Sequence, residues 1–383
     1  MNKLRKLLQF IPQYEFLLFV IATAFLSGEV WSNQWQLTVD GPAHLYNSIV
    51  ARELFLHHGT SLCNIFEPNS TLVPNCLGHL ILSILTEFFS LDVSDKILHL
   101  ITVFGMCFSF RFLSRQINPE QPFYSWLIFP FVYSGVYYLG FYNFSLGIVL
   151  FLLTSATWIW AEKKSHNVWL FLLLTTLSTL LLLANLIPFL LFVFVVGLRI
   201  CIRLFKKEYH LFLIDSVFLL LNILPAFIIV AMYYNGRTEI TAGHYMWADP
   251  KITFSNLIGL HHLAIHDLRQ NAYAVFLSIS LFSAGITSFF FFLKRRKMQN
   301  VNDNLRFVFW SLCWIFLFIV VFAAPNDFGG SGDMTLRLVE ISWIFFLLFL
   351  SSGKLPKSII VSMAVISFSI AMIMIQIRKE SMF

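Results

Sequence analysis

Eleven long apolar runs, most of them bounded by basic residues, limit what this chain can fold into more than any other feature. A transmembrane α-helix needs about 20 consecutive apolar residues. Charged residues make up only 12% of the chain, about half their share in average soluble domains. The sequence therefore predicts an all-α fold, a polytopic transmembrane bundle of about eleven helices in a single domain, 1–383. The predicted spans are 14–31, 95–114, 122–138, 139–161, 167–182, 184–204, 210–234, 272–293, 307–324, 335–351 and 358–377.

The Lys and Arg residues predict how this bundle is oriented. If the short run 77–91 lies on the membrane and does not cross it, 18 of the 26 Lys and Arg residues face the cytoplasm. If it crosses, only 10 of the 26 do. The positive-inside rule favours the first arrangement, with a cytoplasmic N-terminus and a retained first helix. Because the basic residues sit at the ends of apolar runs, the net charge of +6 gives no support to nucleic-acid binding.

This orientation places three longer segments on the extracytoplasmic side. We expect 32–94 to be the first extracytoplasmic loop, with amphipathic and juxtamembrane helices, and 235–271 and 325–334 to be further outer loops. These segments hold most of the His, Asn and Gly-rich sequence, whereas the cytoplasmic loops are short and basic. We therefore expect this multi-pass membrane protein to act at its outer face.

The start of the first outer loop carries the most informative motif, Thr38-Val-Asp-Gly-Pro-Ala-His-Leu-Tyr-Asn47. Gly41 and Pro42 turn the chain into an amphipathic helix, so that Asp40 and His44 lie on one side of it. A carboxylate in this position can accept a proton as a general base. The alternative is that Asp40 is an ordinary helix N-cap, which contributes about 1 kcal/mol to stability.

Three further motifs fall on the same predicted face. Val73-Pro-Asn-Cys-Leu-Gly-His79 opens the short helix 77–91. The turn 137–144 is rich in Tyr and Phe, as in an aromatic belt at the membrane interface, although a belt does not explain Asn143. Asn185 and Pro188 interrupt a long apolar run, where a plain helical hairpin is expected.

The last outer loop leads to Arg337, about one turn inside the next apolar helix. An arginine there is costly unless it reaches the interface or pairs with an anion. A pair with Asp327 or Asp333 is one interpretation. The other is a guanidinium that grips a phosphate group through two hydrogen bonds.

The sequence predicts no metal site and no definite cofactor. It leaves open whether the protein uses a divalent cation. Segment 235–271 lacks the His-Glu pattern of a zinc protease, even though His262 and His266 share a helical face. Cys63 and Cys76 lie in one polar segment and are a possible disulfide if that segment faces an oxidising compartment.

The order of these elements resembles the GT-C superfamily of polytopic membrane glycosyltransferases. The shared features are an acidic residue early in the first outer loop, here Asp40, a juxtamembrane helix led by Pro74, and a late outer loop before an Arg-bearing helix, here Arg337. The short motifs look like those of a poorly characterised bacterial branch and lie at 40–47, 74–79 and 140–144. One departure is that Asp40 stands with His44, where many members have a second acidic residue.

The resemblance implies transfer of a sugar from a polyprenyl-phosphate-linked donor to an acceptor at the extracytoplasmic face of a bacterial inner membrane. It implies Asp40 as the catalytic base and a set of substrate-binding residues, namely His44, Asn47, His79, Asn143 and Arg337. The implied partners are the lipid-linked donor and membrane lipids; no protein partner is specified.

Two other classes of function stay open. The first is a polytopic transporter or flippase of an envelope lipid or glycan, without covalent chemistry; the second is a structural assembly factor for the envelope. Broken helices such as the one at 185–188 are typical of transporters. Against a transporter, the sequence shows no internal repeat and no acidic residue deep within a span apart from Asp215, which lies near one end of its run.

Overall fold

The computed structural model describes residues 2–36, 38–57, 61–68, 72–164, 167–235, 245–264, 267–295, 300–327 and 332–381, with side chains from residue 14 onward. Across these ranges the chain is helical, and its only β-type pairing is an isolated bridge between Met246 and Asp327. The predicted all-α class is therefore confirmed.

The first half of the described chain forms the helices α1 (Asn2–Trp31), α2 (Gly41–Leu56), α3 (Leu77–Phe88), α4 (Leu91–Ile117), α5 (Gly135–Tyr138), α6 (Tyr142–Ala161) and α7 (Val168–Ala184). The second half forms α8 (Leu186–Phe205), α9 (Tyr209–Asn235), α10 (Pro250–Gly259), α11 (Arg269–Arg295), α12 (Val301–Ala323), α13 (Met334–Ser352) and α14 (Lys357–Ser381). Short 3-10 helices occupy Ser61–Asn64, Pro122–Phe131 and His261–Leu263.

Nine helices in the described ranges are long and apolar enough to cross a membrane: α1, α4, α6, α8, α9, α11, α12, α13 and α14. Such a set indicates an integral multi-pass membrane protein. The other two predicted spans differ from expectation. Helix α7 has 17 residues, and 122–138 forms the 3-10 helix Pro122–Phe131 followed by the single turn α5. The predicted count of eleven spans is therefore not confirmed.

The segment 122–138 departs from an α-helix because its sequence contains helix breakers and its surroundings are protein. Pro130 lies inside the 3-10 helix, and nearly every residue from Phe123 to Tyr138 is buried. The Tyr124 hydroxyl donates to the Gly353 carbonyl at 3.3 Å, near one end of the bundle. Backbone that is not α-helical is tolerated at membrane depth where protein surrounds it.

Helix α3 does not cross the bundle. The Gly78 amide, at its start, donates to Asn143 at 2.5 Å, and Asp95, which follows its end, accepts from the neighbouring Tyr142 at 2.9 Å. Both ends of α3 therefore connect to the same end of the bundle, and its 12 residues rise about 18 Å, short of the roughly 30 Å membrane core. It packs against α2, as expected for a helix under the first loop. Its place on a membrane surface stays a prediction.

The basic residues gather at the opposite end, which we call the basic end. There Lys163 contacts Gln116 at 2.9 Å, and Lys354 lies 2.6 Å from Asp303. Helix α6 runs from this end to Tyr142 at the other, which we call the Asp40 end. A cavity at this end is lined by Lys163, Arg199, Arg203, Lys206 and Arg306. The assignment of the basic end to the cytoplasm stays a prediction.

Four acidic residues besides Asp215 are buried in the apolar helices, so the interpretation that Asp215 is the one acidic residue of note there is too narrow. Helix α1 carries Glu15 and Glu29, α4 carries Asp95 and α13 carries Glu340, and all four are at most 3% exposed. Each carboxylate lies near a basic group: Arg111 at 2.7 Å from Glu15, Lys379 at 3.3 Å from Glu29, His99 at 3.5 Å from Asp95 and His262 at 3.1 Å from Glu340. Partners of this kind make charged groups tolerable inside a membrane bundle.

Candidate functional site

The chain after α1 is held against the turn 137–143, and this contact positions Asp40. The amides of Val39 and Asp40 donate to the carbonyls of Tyr138 and Leu139, each at 3.0 Å. Gly140 lies between the two segments with φ +83°, and a Cβ there would lie 2.8 Å from the Asp40 nitrogen. Both the left-handed backbone and the close approach therefore require glycine at this position.

The Asp40 side chain does not act as a helix cap. It stands at the N-terminus of α2, yet it makes no capping hydrogen bond to the first turn. Pro42, the second residue of α2, has no N–H that would need a partner in the first turn. The N-cap interpretation is therefore wrong, and the half-buried carboxylate is left to face a cavity.

That cavity has a volume of about 130 Å³ and opens at the Asp40 end of the bundle. It brings together four of the six predicted site residues from three parts of the chain: Asp40, His44, Asn143 and Arg337. Asp40, His44 and Arg337 therefore line one cavity. The remaining lining residues are Asn75, Phe141, Tyr142, Phe144 and Asn185.

Arg337 presents an unpaired guanidinium to this cavity. It is the fourth residue of α13, as expected, and its Cζ lies 4.1 Å from the centroid of the Phe141 ring and 5.8 Å from that of Phe144. Among the described residues it forms no ion pair, so the proposed pairs with Asp327 or Asp333 are not formed. Its buried Nε lacks a hydrogen-bond partner there. Cation–π contacts hold the positive charge in place without neutralising it.

His44 and His79 form a hydrogen-bonded pair at the edge of the cavity. Nδ1 of His44 lies 2.8 Å from Nε2 of His79, and the His44 ring stacks on Tyr142 with centroids 4.8 Å apart. Burial lowers the pKa of His44, an effect that Asp40 partly offsets. Burial and the neighbouring His44 lower the pKa of His79 to about 4. Both rings are therefore neutral at pH 7, with one donating to the other.

Asn143 has a structural role. Its Oδ1 accepts from the Gly78 amide at 2.5 Å and its Nδ2 donates to the Asn75 carbonyl at 2.7 Å, so it clamps the start of α3. The Asn75 side chain in turn accepts from Asn185 at 3.1 Å. Asn185 also caps α8 through the Ile187 amide, which explains the break between α7 and α8. The predicted hairpin, formed by α7 and α8, therefore contributes Asn185 to the wall of the cavity.

The sequence interpretation missed a buried polar network behind the cavity. The Tyr142 hydroxyl donates to Asp95 at 2.9 Å, and it lies 3.1 Å from the Thr38 hydroxyl and 3.0 Å from His99 Nε2. Tyr137, Tyr138 and Tyr142 are at most 5% exposed, so the aromatic-belt interpretation of this turn is wrong. The signal that could have found the network is Asp95 and His99, which share one face of α4 four residues apart.

The remaining residues singled out in the sequence either lie away from this cavity or fall outside the described residues. Asn47 is exposed and does not line the cavity. His266 lies outside the described residues, and His262 lies in a 3-10 helix against Glu340. Cys63 and Cys76 are free thiols. Within the described ranges, no group of three or more His, Cys, Asp or Glu side chains is arranged to hold a metal ion.

The lining of the cavity thus combines a carboxylate, the neutral imidazole of His44 and an unpaired guanidinium, and His79 lies within hydrogen-bond distance of His44 beside it. Comparison with known proteins found no family model, no curated protein and no solved structure that matches this chain. A proton acceptor and a group that binds anions, placed together, suit a reaction that removes a proton and releases an anion.

Proposed function

We propose that this protein is a membrane glycosyltransferase that moves a sugar from a polyprenyl-phosphate-linked donor to an acceptor at the extracytoplasmic face. The observation that carries the proposal is that the uncapped Asp40 carboxylate and the unpaired Arg337 guanidinium line one cavity. Asp40 and Arg337, which are 297 positions apart in sequence (337 minus 40), meet there without forming an ion pair within 4 Å. The two charges are thus free to act on a substrate between them.

The proposed step balances as follows. An acceptor hydroxyl oxygen attacks the anomeric carbon of the donor sugar and forms the new glycosidic bond. Asp40 takes the hydroxyl proton. The bond between the anomeric carbon and the phosphate oxygen breaks, and its electron pair stays on the lipid phosphate. Arg337 stabilises the negative charge that grows there.

The size and surroundings of the cavity support the roles of Asp40 as the base and Arg337 as the phosphate-binding group. At about 130 Å³ it is smaller than the roughly 300 Å³ of a pocket for a drug-sized ligand. It suits the junction of sugar and phosphate, while the polyprenyl chain would lie outside along the apolar helices. His79 supports His44 from behind and is a positioning residue.

The layout is also the basis for proposing a GT-C-like architecture in a bacterial inner membrane. The chain places Asp40 early in the first loop, starts α3 soon after Pro74 and carries Arg337 in the first turn of α13. In this assignment the Asp40 end lies on the extracytoplasmic side of the membrane.

The test is to incubate the purified protein with a panel of polyprenyl-phosphate sugars and to measure release of free lipid phosphate. We expect release with at least one donor and a fall of about 10²-fold or more in Asp40→Asn, the usual scale for a positioned base. Glu67→Gln, which removes an exposed carboxylate from the same loop, is the matched control and should keep full activity. Equal activity in Asp40→Asn and wild type would contradict the proposal.

A transporter or flippase is the second candidate, and the buried His262–Glu340 pair favours it. Ionisable groups inside a membrane bundle often mark ion or proton pathways. The same preparation separates the two functions. A transporter would move a labelled lipid-linked sugar across the membrane of proteoliposomes and release no lipid phosphate. In that case Glu340→Gln would slow transport.

A further inference from the structure

A second, larger cavity lies at the basic end, away from Asp40. Its volume is about 500 Å³, and it opens between the ends of α4, α6 and α8 and the start of α12. Pockets of about 300–1,000 Å³ are the usual size for small-molecule ligands. The proposed sugar transfer at the opposite end makes no use of this cavity.

The rim of the cavity is positively charged. Five basic residues line it against three acidic ones, so the lining carries a net charge of +2 (five minus three). The basic residues are Lys163, Arg199, Arg203, Lys206 and Arg306, and the acidic residues are Glu162, Glu208 and Asp303.

All three carboxylates are already engaged. Arg199 Nε lies 3.1 Å from Glu162, Arg203 lies 3.3 Å from Glu208, and Arg306 lies 3.0 Å from Asp303. Asp303 also accepts from Lys354 at 2.6 Å. Arg203 also pairs with the buried Asp215. With Asp215 and Lys354 included, six basic groups face four carboxylates, so part of the positive charge stays uncompensated.

Lys163 and Lys206 carry that remaining charge. In the described residues, each ammonium group contacts only a neutral amide oxygen: Lys163 that of Gln116 at 2.9 Å and Lys206 that of Asn302 at 3.1 Å. The buried Nε of Arg306 also has no hydrogen-bond partner there. Burial and the neighbouring Arg199 lower the pKa of Lys163, as crowded positive charges do.

The inner wall of the cavity is apolar. It includes Ile202, Phe309 and Trp310, and the Arg199 guanidinium lies 5.6 Å from the Phe309 centroid. A basic rim over an apolar wall between membrane helices matches the two halves of a phospholipid. We propose that this cavity binds a phosphate-bearing anion, supplied as the headgroup of an anionic membrane lipid or as a soluble phosphate compound.

The experiment compares the melting temperature of the protein in three settings: phosphatidylcholine nanodiscs, nanodiscs that also contain phosphatidylglycerol, and phosphatidylcholine nanodiscs with added inorganic phosphate. We expect an anion to raise the melting temperature of wild type. Lys163→Gln/Lys206→Gln should weaken the apparent affinity about tenfold or more, since each basic residue near a membrane surface contributes about 1 kcal/mol to binding anionic lipid.

The matched control is Lys294→Gln/Lys357→Gln, which removes two exposed lysines from the same end but outside the cavity. It should respond to the anion as wild type does, and so should the charge-preserving variant Lys163→Arg/Lys206→Arg. A response to phosphatidylglycerol alone identifies the ligand as a lipid, and a response to inorganic phosphate identifies a soluble source.

Native mass spectrometry of wild type measures retained phosphatidylglycerol directly and does not depend on how the variants fold. No preference for phosphatidylglycerol over phosphatidylcholine, together with no response to inorganic phosphate, overturns the proposal. An equal loss in the Lys294/Lys357 control also overturns it, because the effect would then be general surface charge.

Discussion

Nδ1 of His44 lies 2.8 Å from Nε2 of His79, and this contact joins the first turn of α2 to the first turn of α3. The pair holds one wall of the cavity in place, because His44 also stacks on Tyr142 at the start of α6. Two imidazole rings at this distance are compatible only if at least one nitrogen of the contact is unprotonated.

This pair predicts a loss of stability in mild acid. The folded-state pKa of His79 is about 4 because of burial and His44, whereas its ordinary value is 6.5. Between these values the unfolded chain binds more protons than the folded one, so stability is fully present above about pH 6.5 and falls as the pH drops toward 4. The measurement is the melting temperature in detergent across this range.

The control for this prediction replaces single histidines. His79→Gln keeps a side chain that can hydrogen bond to His44 but cannot take up a proton, so the decline with acid should become shallower. His210→Gln removes an exposed histidine and should leave the slope as in wild type. If both variants show the wild-type slope, the acid sensitivity has another origin.

Gly140→Ala should displace Asp40 and destabilise the protein. The backbone there has φ +83°, and the new Cβ would lie 2.8 Å from the Asp40 nitrogen. Strain of this kind costs about 1–3 kcal/mol. Gly197→Ala is the control, because a Cβ on this glycine in α8 meets nothing within 4 Å. Thermal unfolding should show a clear loss in Gly140→Ala alone; equal melting temperatures would rule out the close approach.

Tyr142→Phe should destabilise the network behind the cavity. The hydroxyl donates to Asp95 at 2.9 Å, and the buried carboxylate would lose this donor. Leaving a buried polar group unsatisfied costs about 1–3 kcal/mol. Tyr137→Phe is the matched control, since the buried hydroxyl of Tyr137 has no hydrogen-bond partner among the described residues. Its removal should be neutral or stabilising, as measured by thermal unfolding.

The sequence predicted the features that depend on composition and missed those that depend on long-range contacts. Apolar length predicted eleven membrane-crossing helices, and nine of them are long and apolar enough in the described residues, because a helix in lipid needs about 20 apolar residues to cross. Composition alone does not distinguish a lipid-facing α-helix from the buried 3-10 segment at 122–138. Pro130, inside that segment, argued against an α-helix there. The contact of Asp95 with Tyr142 joins residues 47 positions apart, and no local pattern reports such a pair.

The predicted orientation can be checked by labelling engineered cysteines. In a variant without the five native cysteines, Glu67→Cys and Lys207→Cys place thiols at exposed positions in the first loop and at the basic end. A maleimide that cannot cross membranes should label Glu67→Cys in intact cells and Lys207→Cys only after permeabilisation. Labelling of both from the same side would contradict the positive-inside argument.

Arg337→Lys should lower turnover about 10²-fold while leaving the fold intact. A lysine keeps the charge but loses the planar fork that holds a phosphate through two hydrogen bonds, and it stacks less well on Phe141. Loss of one group that stabilises a growing charge typically costs 10²–10³-fold in rate. Because Arg337 forms no ion pair in the described residues, the melting temperature should change little.

Arg269→Lys is the control for Arg337→Lys. Arg269 is exposed, lies near the same end of the bundle and pairs with Asp267 at 2.8 Å, so its replacement should affect neither turnover nor stability. The readout is release of lipid phosphate from the donor identified for wild type. If Arg337→Lys turns over at the wild-type rate while Asp40→Asn is inactive, the base assignment survives, and the phosphate must be held by a group other than Arg337.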